Sequence, residues 1–234
     1  MGTAILGGVK VTPELDFILK NYVTLNQVSP IPLDIDRGGL CKIFRRLNYR
    51  VGAEIGVSKG RFSRLICQYN RRAKLYCVDP WNAYIGYVER KGIRGQVALD
   101  KHYEECKSRL APYNCELIKA FSMDAVKNFK DDSLDFVFID GNHSFEYVVN
   151  DIAEWSKKVR VGGIVSGHDF WTSAEGFGYK RLDLDLFIKN LTPREKIQLC
   201  QVKDAVLAWT HTNKITPWFL TAADDLSSWF WVKE

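Results

Sequence analysis

Short apolar runs alternate along this chain with longer stretches in which apolar residues recur every three or four positions. Val51–Ile55, Leu75–Val78, Glu116–Lys119, Leu134–Ile139 and Val161–Ser166 have the length and the β-branched or aromatic content of strands. Arg61–Tyr69, Ala98–Leu110, Ser122–Phe129 and Phe145–Lys158 lie between them and carry helical spacing. Strict alternation of this kind predicts an α/β fold, a parallel sheet with helices on both faces. After Ser166 the pattern changes. Thr172–Tyr179, with Gly176 and Gly178, is expected as a loop, and Asp183–Leu191 and Val202–Thr212 as helices. Pro217–Thr221 and Ser227–Val232 are expected as strands, paired antiparallel across the polar turn Ala222-Ala223-Asp224-Asp225. Residues 1–35, with Pro13, Pro30 and Pro32, are expected as an N-terminal cap or lid, and residues 36–234 as a single domain.

The polar residues that interrupt this pattern are not scattered. Glu54, Asp79 and Asp140 each stand at the end of an expected strand. In open α/β sheets the ligand lies outside the carboxyl ends of the strands, so three acids there mark one edge as a site. The first acid runs into Glu54-Ile55-Gly56-Val57-Ser58-Lys59-Gly60, a strand end, a glycine turn and a helix start. The glycines let backbone approach a ligand, and the helix start offers unpaired N–H groups. The spacing is Glu-x-Gly-x-x-x-Gly, not the Gly-x-Gly-x-x-Gly of dinucleotide sites. A carboxylate beside the turn repels a pyrophosphate and suits a ligand bearing an amino group and a sulfonium.

Composition narrows the setting. The 234 residues are 46% hydrophobic and 26% charged, as expected for a globular, soluble chain with a sizeable core. No apolar run is long enough for a membrane span. Met1–Lys10 is not expected to act as a signal peptide, and Leu6 departs from the myristoylation pattern. The six cysteines, Cys41, Cys67, Cys77, Cys106, Cys115 and Cys200, form no Cys-x-x-Cys pair and are expected as buried free thiols in a cytoplasmic protein. The net charge of +5 is spread over helix ends and loops, with no RNA-recognition word or zinc finger beside it, which argues against a nucleic-acid partner.

Five words in order carry a family resemblance. They are the glycine-turn word, Tyr76-Cys77-Val78-Asp79-Pro80-Trp81, Ala120-Phe121-Ser122-Met123-Asp124-Ala125, Phe138-Ile139-Asp140-Gly141-Asn142-His143-Ser144-Phe145-Glu146, and Gly162-Gly163-Ile164-Val165-Ser166-Gly167-His168-Asp169-Phe170. Together they resemble the class I S-adenosylmethionine (SAM)-dependent methyltransferases, in the subgroup called methyltransferase family 24. The resemblance implies a Rossmann-like, doubly wound, seven-stranded sheet with its last strand antiparallel. It implies that Glu54, Gly56, Val57, Ser58 and Gly60 hold the methionine half of SAM. It places Asp79 on the ribose hydroxyls with Pro80 and Trp81 beside it, Ser122 and Met123 against the adenine, and Asp140 next to the cofactor. Trp81 could equally pack in the core, and Ser122 could be a helix cap.

For an acceptor hydroxyl the chain must also remove a proton. Asp140, His143 and His168 are the catalytic candidates, either as an imidazole base oriented by a carboxylate or around a divalent metal. The metal-dependent catechol-type and caffeoyl-type O-methyltransferases place one acid after the fourth strand and an acid–amide pair after the fifth. By that resemblance the ligands here are Asp140, His168 and Asp169, with a histidine that favours a transition metal over magnesium. The expected acceptor is a small molecule or a glycan. Tyr84, Tyr87, Arg90, Lys91 and Arg94 are candidates to contact it, and Lys180 and Arg181 could meet an anionic group. A nicotinamide-dependent oxidoreductase and a non-catalytic SAM-binding subunit are the alternatives, and a homo-oligomer is left open.

Overall fold

The computed structural model describes residues 5–6, 9–24, 27–84, 95–171, 201–223 and 226–234. A short antiparallel pair, β1 (Ile5–Leu6) and β2 (Val9–Lys10), leads into α1 (Pro13–Tyr22). Then follow β3 (Ile31–Leu33), α2 (Arg37–Arg46), β4 (Val51–Ile55), α3 (Arg61–Tyr69), β5 (Lys74–Asp79) and α4 (Gly95–Leu110). The chain continues through β6 (Cys115–Lys119), α5 (Ser122–Ala125) with a 3-10 turn at Val126–Asn128, β7 (Leu134–Ile139), α6 (Phe145–Lys158) and β8 (Val159–Gly167). The last described elements are α7 (Val202–Thr212), β9 (Phe219–Thr221) and β10 (Trp229–Val232). The expected loop at Thr172–Tyr179 and helix at Asp183–Leu191 lie outside the described residues, as do Asp224 and Asp225 of the expected turn.

The main sheet has the order β3-β9-β10-β8-β7-β4-β5-β6. β10 runs antiparallel to both its neighbours, and every other pair is parallel. Chain order reverses between β4, which continues outward to β5, and β7, which continues the other way to β8. That reversal is the topological switch point at which a crevice opens.

The sheet has eight strands where the resemblance implies seven. The eighth is β3, which lies parallel to β9 at the sheet's edge. Prolines at 30 and 32 read as irregular chain, yet an edge strand tolerates proline on its open side. Ile31 N–H donates inward to the carbonyl of Trp218, so the next residue, Pro32, turns its missing donor outward. The segment before β3 is also anchored, since Leu15 and Ile18 of α1 are fully buried in the core. The long helix expected at Ser122–Phe129 is the four-residue α5 followed by the 3-10 turn.

Alternation along the strands builds two cores. Phe136 and Phe138 of β7 face α1 to α4, packing with Phe44, Phe62 and Ile66. Val137 and Ile139 face α5 to α7, packing with Val148, Ile152, Trp155 and Val206. The close approach of β4 to this first core needs a glycine. A Cβ at Gly52 would stand 2.1 Å from the Phe136 ring, which is stacked at 4.2 Å on Phe44. Among the described residues no helix is long and apolar enough to cross a membrane.

Candidate active site at the carboxyl edge of the sheet

Backbone hydrogen bonds stitch the strand ends into one rim. Gly56 N–H donates to Val78 O at 2.9 Å, Asp140 N–H to Ile55 O at 2.7 Å, and His168 N–H to Ile139 O at 3.0 Å. The first expected glycine is required here. Gly56 sits at φ +90, and a Cβ on it would lie 2.0 Å from the carbonyl oxygen of Asp140. Gly60 starts α3 from the left-handed region at φ +69.

Between these glycines Ser58 is held at all three of its polar groups. Its N–H donates to Asp79 Oδ2 at 2.8 Å. Its carbonyl accepts from Trp81 Nε1 at 2.7 Å. Its hydroxyl is 3.4 Å from His102 Nδ1 on α4. Asp79 Oδ1 also accepts from the backbone N–H of Trp81 at 2.7 Å. Burial pushes the Asp79 carboxyl above the ordinary carboxylate value, against the pull of these backbone donors. The donors leave further lone pairs on both oxygens. Asp79 therefore stands oriented at the end of β5.

Two of the expected cofactor residues, Trp81 and Glu54, are buried. Trp81 is fully buried, with its ring 4.8 Å from Tyr103 and its N–H donated to the Ser58 carbonyl, so it braces the turn. Glu54 points from β4 into the core on the α1–α4 side and is 2% exposed. Burial, with the charges of Asp140 and Asp79 adding to it, raises its carboxyl well above the usual range. Val57 is buried as well, while Pro80 is half-buried beside Asp79.

At the far side of the rim Ser122 opens α5, one strand beyond Asp79. Its Oγ accepts from Trp155 Nε1 at 2.8 Å and donates to Asp151 Oδ1 in a short hydrogen bond. Burial pushes Asp151 up to about 7, and the Ser122 bond pulls it back. Sequence reasoning misses Asp151, although a signal exists. It falls on the buried stripe Val148, Asp151, Ile152, Trp155 of α6, where an acid is out of place unless partnered. Half-buried Met123 follows Ser122, and the exposed ring of Phe121 meets Tyr84 edge-on at 5.2 Å. Tyr84 Oη accepts from Asn142 Nδ2 at 3.2 Å. Tyr87, Arg90, Lys91, Arg94, Lys180 and Arg181 lie outside the described residues.

The switch point itself gathers Asp140, His143 and Asp169. His143 Nε2 is 3.4 Å from Asp140 Oδ1 and 3.1 Å from Asp169 Oδ2. One ligand atom from each of the three lies within 4.8 Å of the others. Atoms bound to one ion at about 2.0–2.2 Å stand roughly 2.8–3.6 Å apart at right-angled to tetrahedral separations. The two His143 distances fall in that range, and two carboxylates with an imidazole are a donor set that suits a divalent transition ion. They fit equally an imidazole holding a proton between two carboxylates.

The expected ligand set changes in one member. His168 is not in the trio and His143 is. His168 turns Nδ1 to Asp169 Oδ1 at 3.0 Å and stands behind that carboxylate. Its Nε2 is buried with no hydrogen-bond partner among the described residues. The difference is one of loop geometry. His143 follows Asp140 by three residues in the turn before α6, which folds its ring back over the strand end. His168 continues β8 on the Phe138 side, 6.4 Å from that ring. Asp169 sits at φ +55, a conformation that turns its carboxylate back toward β7.

Comparison with known proteins bears on this rim. A family model described as a methyltransferase domain matches residues 53–170, from β4 to just past Asp169. Solved structures align over most of the chain. A candidate caffeoyl-CoA O-methyltransferase from Staphylococcus aureus aligns with TM-score 0.59 and 14% identity, covering 94% of this chain and 90% of that one. An O-methyltransferase from Bacillus cereus in complex with SAH gives 0.55 and 15%, covering 94% and 89%. The O-methyltransferase TomG from Streptomyces achromogenes, involved in tomaymycin synthesis and in complex with SAM, gives 0.54 and 15%, covering 85% and 80%. At these identities the likeness is one of fold. No curated protein matches the sequence.

Proposed function

Because this chain belongs to the methyltransferase family whose domain spans residues 53–170 and is a SAM-dependent methyltransferase, we propose that it methylates an oxygen of a small-molecule or glycan hydroxyl, with Asp140, His143 and Asp169 assisting deprotonation. The observation that carries this reading is the convergence of two carboxylates on His143 Nε2 at the switch point. The structural neighbours described as O-methyltransferases support oxygen as the acceptor atom. The acid-first turn and the family match set aside the nicotinamide-dependent oxidoreductase.

SAM supplies the electrophilic methyl group, and a divalent ion at the trio would lower the pKa of an acceptor hydroxyl and fix its position. The chain's own residues do the rest. The Ser58 turn and Asp79 are the proposed seat of the methionine and ribose parts, with Gly56 admitting the cofactor close to the backbone. Asp140 and Asp169 would hold the metal or, without one, stabilise at Nε2 the imidazolium that forms when the His143 ring takes the acceptor's proton. His168 steers the Asp169 carboxylate through Nδ1, the role played by groups that hydrogen-bond to metal-bound carboxylates. We read residues 36–234 as the methyltransferase domain and 1–35 as a covering segment whose end completes the sheet.

The test is methyl transfer to a panel of phenols and sugars, with and without excess chelator, beside calorimetric titration with SAH. SAH binding with activity lost to chelator and restored by manganese or zinc is the expected result. Full activity in chelator would remove the metal and leave His143 as the base. Activity confined to amines would overturn the oxygen assignment.

A further inference from the structure

We propose that Asp151 fixes the hydroxyl of Ser122 as an acceptor-only group that reads the 6-amino substituent of the cofactor's adenine, making Asp151 a specificity-determining residue that never touches the reacting atoms. This inference rests on the methyltransferase reading and on Ser122 lying at the adenine end of the cofactor.

The placement follows from the sheet. Asp79 ends β5 in register with Lys119 of β6, and Ser122 is three residues beyond Lys119. A nucleoside whose ribose lies on Asp79 and whose methionine part lies over the β4 turn has its base directed outward, toward β6 and α5. Exposed Phe121 and the Tyr84 ring stand beside that position as flat apolar surfaces.

The chemistry follows from counting protons. The indole N–H of Trp155 can only donate, so Ser122 Oγ accepts from it. A carboxylate can only accept, so the single hydroxyl proton of Ser122 goes to Asp151 Oδ1. What remains on Ser122 is one lone pair. It pairs with an N–H of a 6-aminopurine and repels the carbonyl of a 6-oxopurine. Both partners are held from turning away, since Trp155 is fully buried and Asp151 is 4% exposed on the same helix. Asp151 Oδ2 lies beside Gly141, 3.7 Å from where a Cβ would stand, so the carboxylate sits at the wall between α6 and the site.

The experiment compares SAH with its deaminated analogue S-inosylhomocysteine by calorimetry at pH 8. The intact chain should prefer SAH by about 100-fold, the scale on which a site built around one hydrogen bond rejects the mismatched group. Asp151→Ala, the volume-filling Asp151→Leu and Ser122→Ala should each shrink that ratio to about 5-fold or less, because the hydroxyl proton is then free to meet the carbonyl or is gone. Trp155→Phe should keep the preference, since Asp151 still takes the proton. Should one Asp151 variant fail to fold, the other carries the comparison. Asp151 variants that weaken both nucleosides equally, with the ratio intact, have lost only structure, and the proposal falls. An intact chain that binds both equally refutes the adenine position of Ser122 and this inference with it. Binding of neither overturns the cofactor reading itself.

Discussion

The indole N–H of Trp81 donates to the carbonyl of Ser58 at 2.7 Å. With the two backbone N–H groups that Ser58 and Trp81 donate to the Asp79 carboxylate, this closes a ring of three hydrogen bonds between the turn after β4 and the turn after β5. Ser58 and Trp81 both sit in the left-handed region, at φ +51 and +39, a conformation non-glycine residues hold only when neighbours fix it. The chain's own groups thus fix the turn that is proposed to seat the cofactor.

Replacing Trp81 by phenylalanine keeps an aromatic ring against Tyr103 and removes only the donor. The Ser58 carbonyl is then left without its partner, at a cost of about 1–3 kcal/mol. Part of that should appear as lower stability in urea and part as roughly tenfold weaker SAH binding. If both quantities match the unmodified chain, Trp81 does not brace the turn.

Asp79→Asn tests the other half of the ring. The amide keeps one acceptor oxygen and presents N–H donors where Asp79 now accepts a backbone N–H on each oxygen. Together with the lost charge toward the ribose, SAH affinity should fall by about 1–3 kcal/mol, the scale of charge-assisted hydrogen bonds. An unchanged dissociation constant in a folded variant would falsify the ribose assignment.

Much of this arrangement is legible in the sequence because local pattern and global fold agree. Arg61–Tyr69, Phe145–Lys158 and Val202–Thr212 fall on the helices α3, α6 and α7 residue for residue. Glu54, Asp79 and Asp140 all end strands that meet on one rim, since a parallel sheet puts its carboxyl ends together. What the sequence hides are choices between neighbours in space. Trp81 looks the same whether it faces ligand or core, and its partner Ser58 is 23 residues away. His143 and His168 both follow a strand end, and only the turn geometry decides which ring reaches the two carboxylates. Ile31-Pro32-Leu33 carries a proline that argues against a strand anywhere except at an open edge.

The trio makes a graded prediction for metal binding. Asp169→Asn and His143→Ala each remove a ligand and should abolish measurable manganese or zinc binding in calorimetry. His168→Gln removes a group that contacts the Asp169 carboxylate at 3.0 Å, so binding should weaken by about 10–100-fold without disappearing. A His168 variant that loses the metal completely while His143→Ala retains it would return His168 to the ligand set.

Asp151 offers a stability test whose sign follows from its raised pKa. In the unfolded chain an aspartate titrates near about 3.9. Burial among the α6 side chains pushes Asp151 up to about 7 in the fold. The folded state therefore holds the proton more tightly. The contribution is fully present below about pH 4 and is lost as pH rises through about 7. The gap between the two values corresponds to about 4 kcal/mol at most, since a tenfold change in proton affinity is worth about 1.4 kcal/mol. Asp151→Asn carries no ionisable group at this position. The variant should be the more stable of the two at pH 8.5, and its advantage should shrink steadily toward pH 4.5 in urea titrations. A difference that stays constant across this range would mean that Asp151 is ionised in the fold at an ordinary pKa, with Ser122 and solvent compensating its charge.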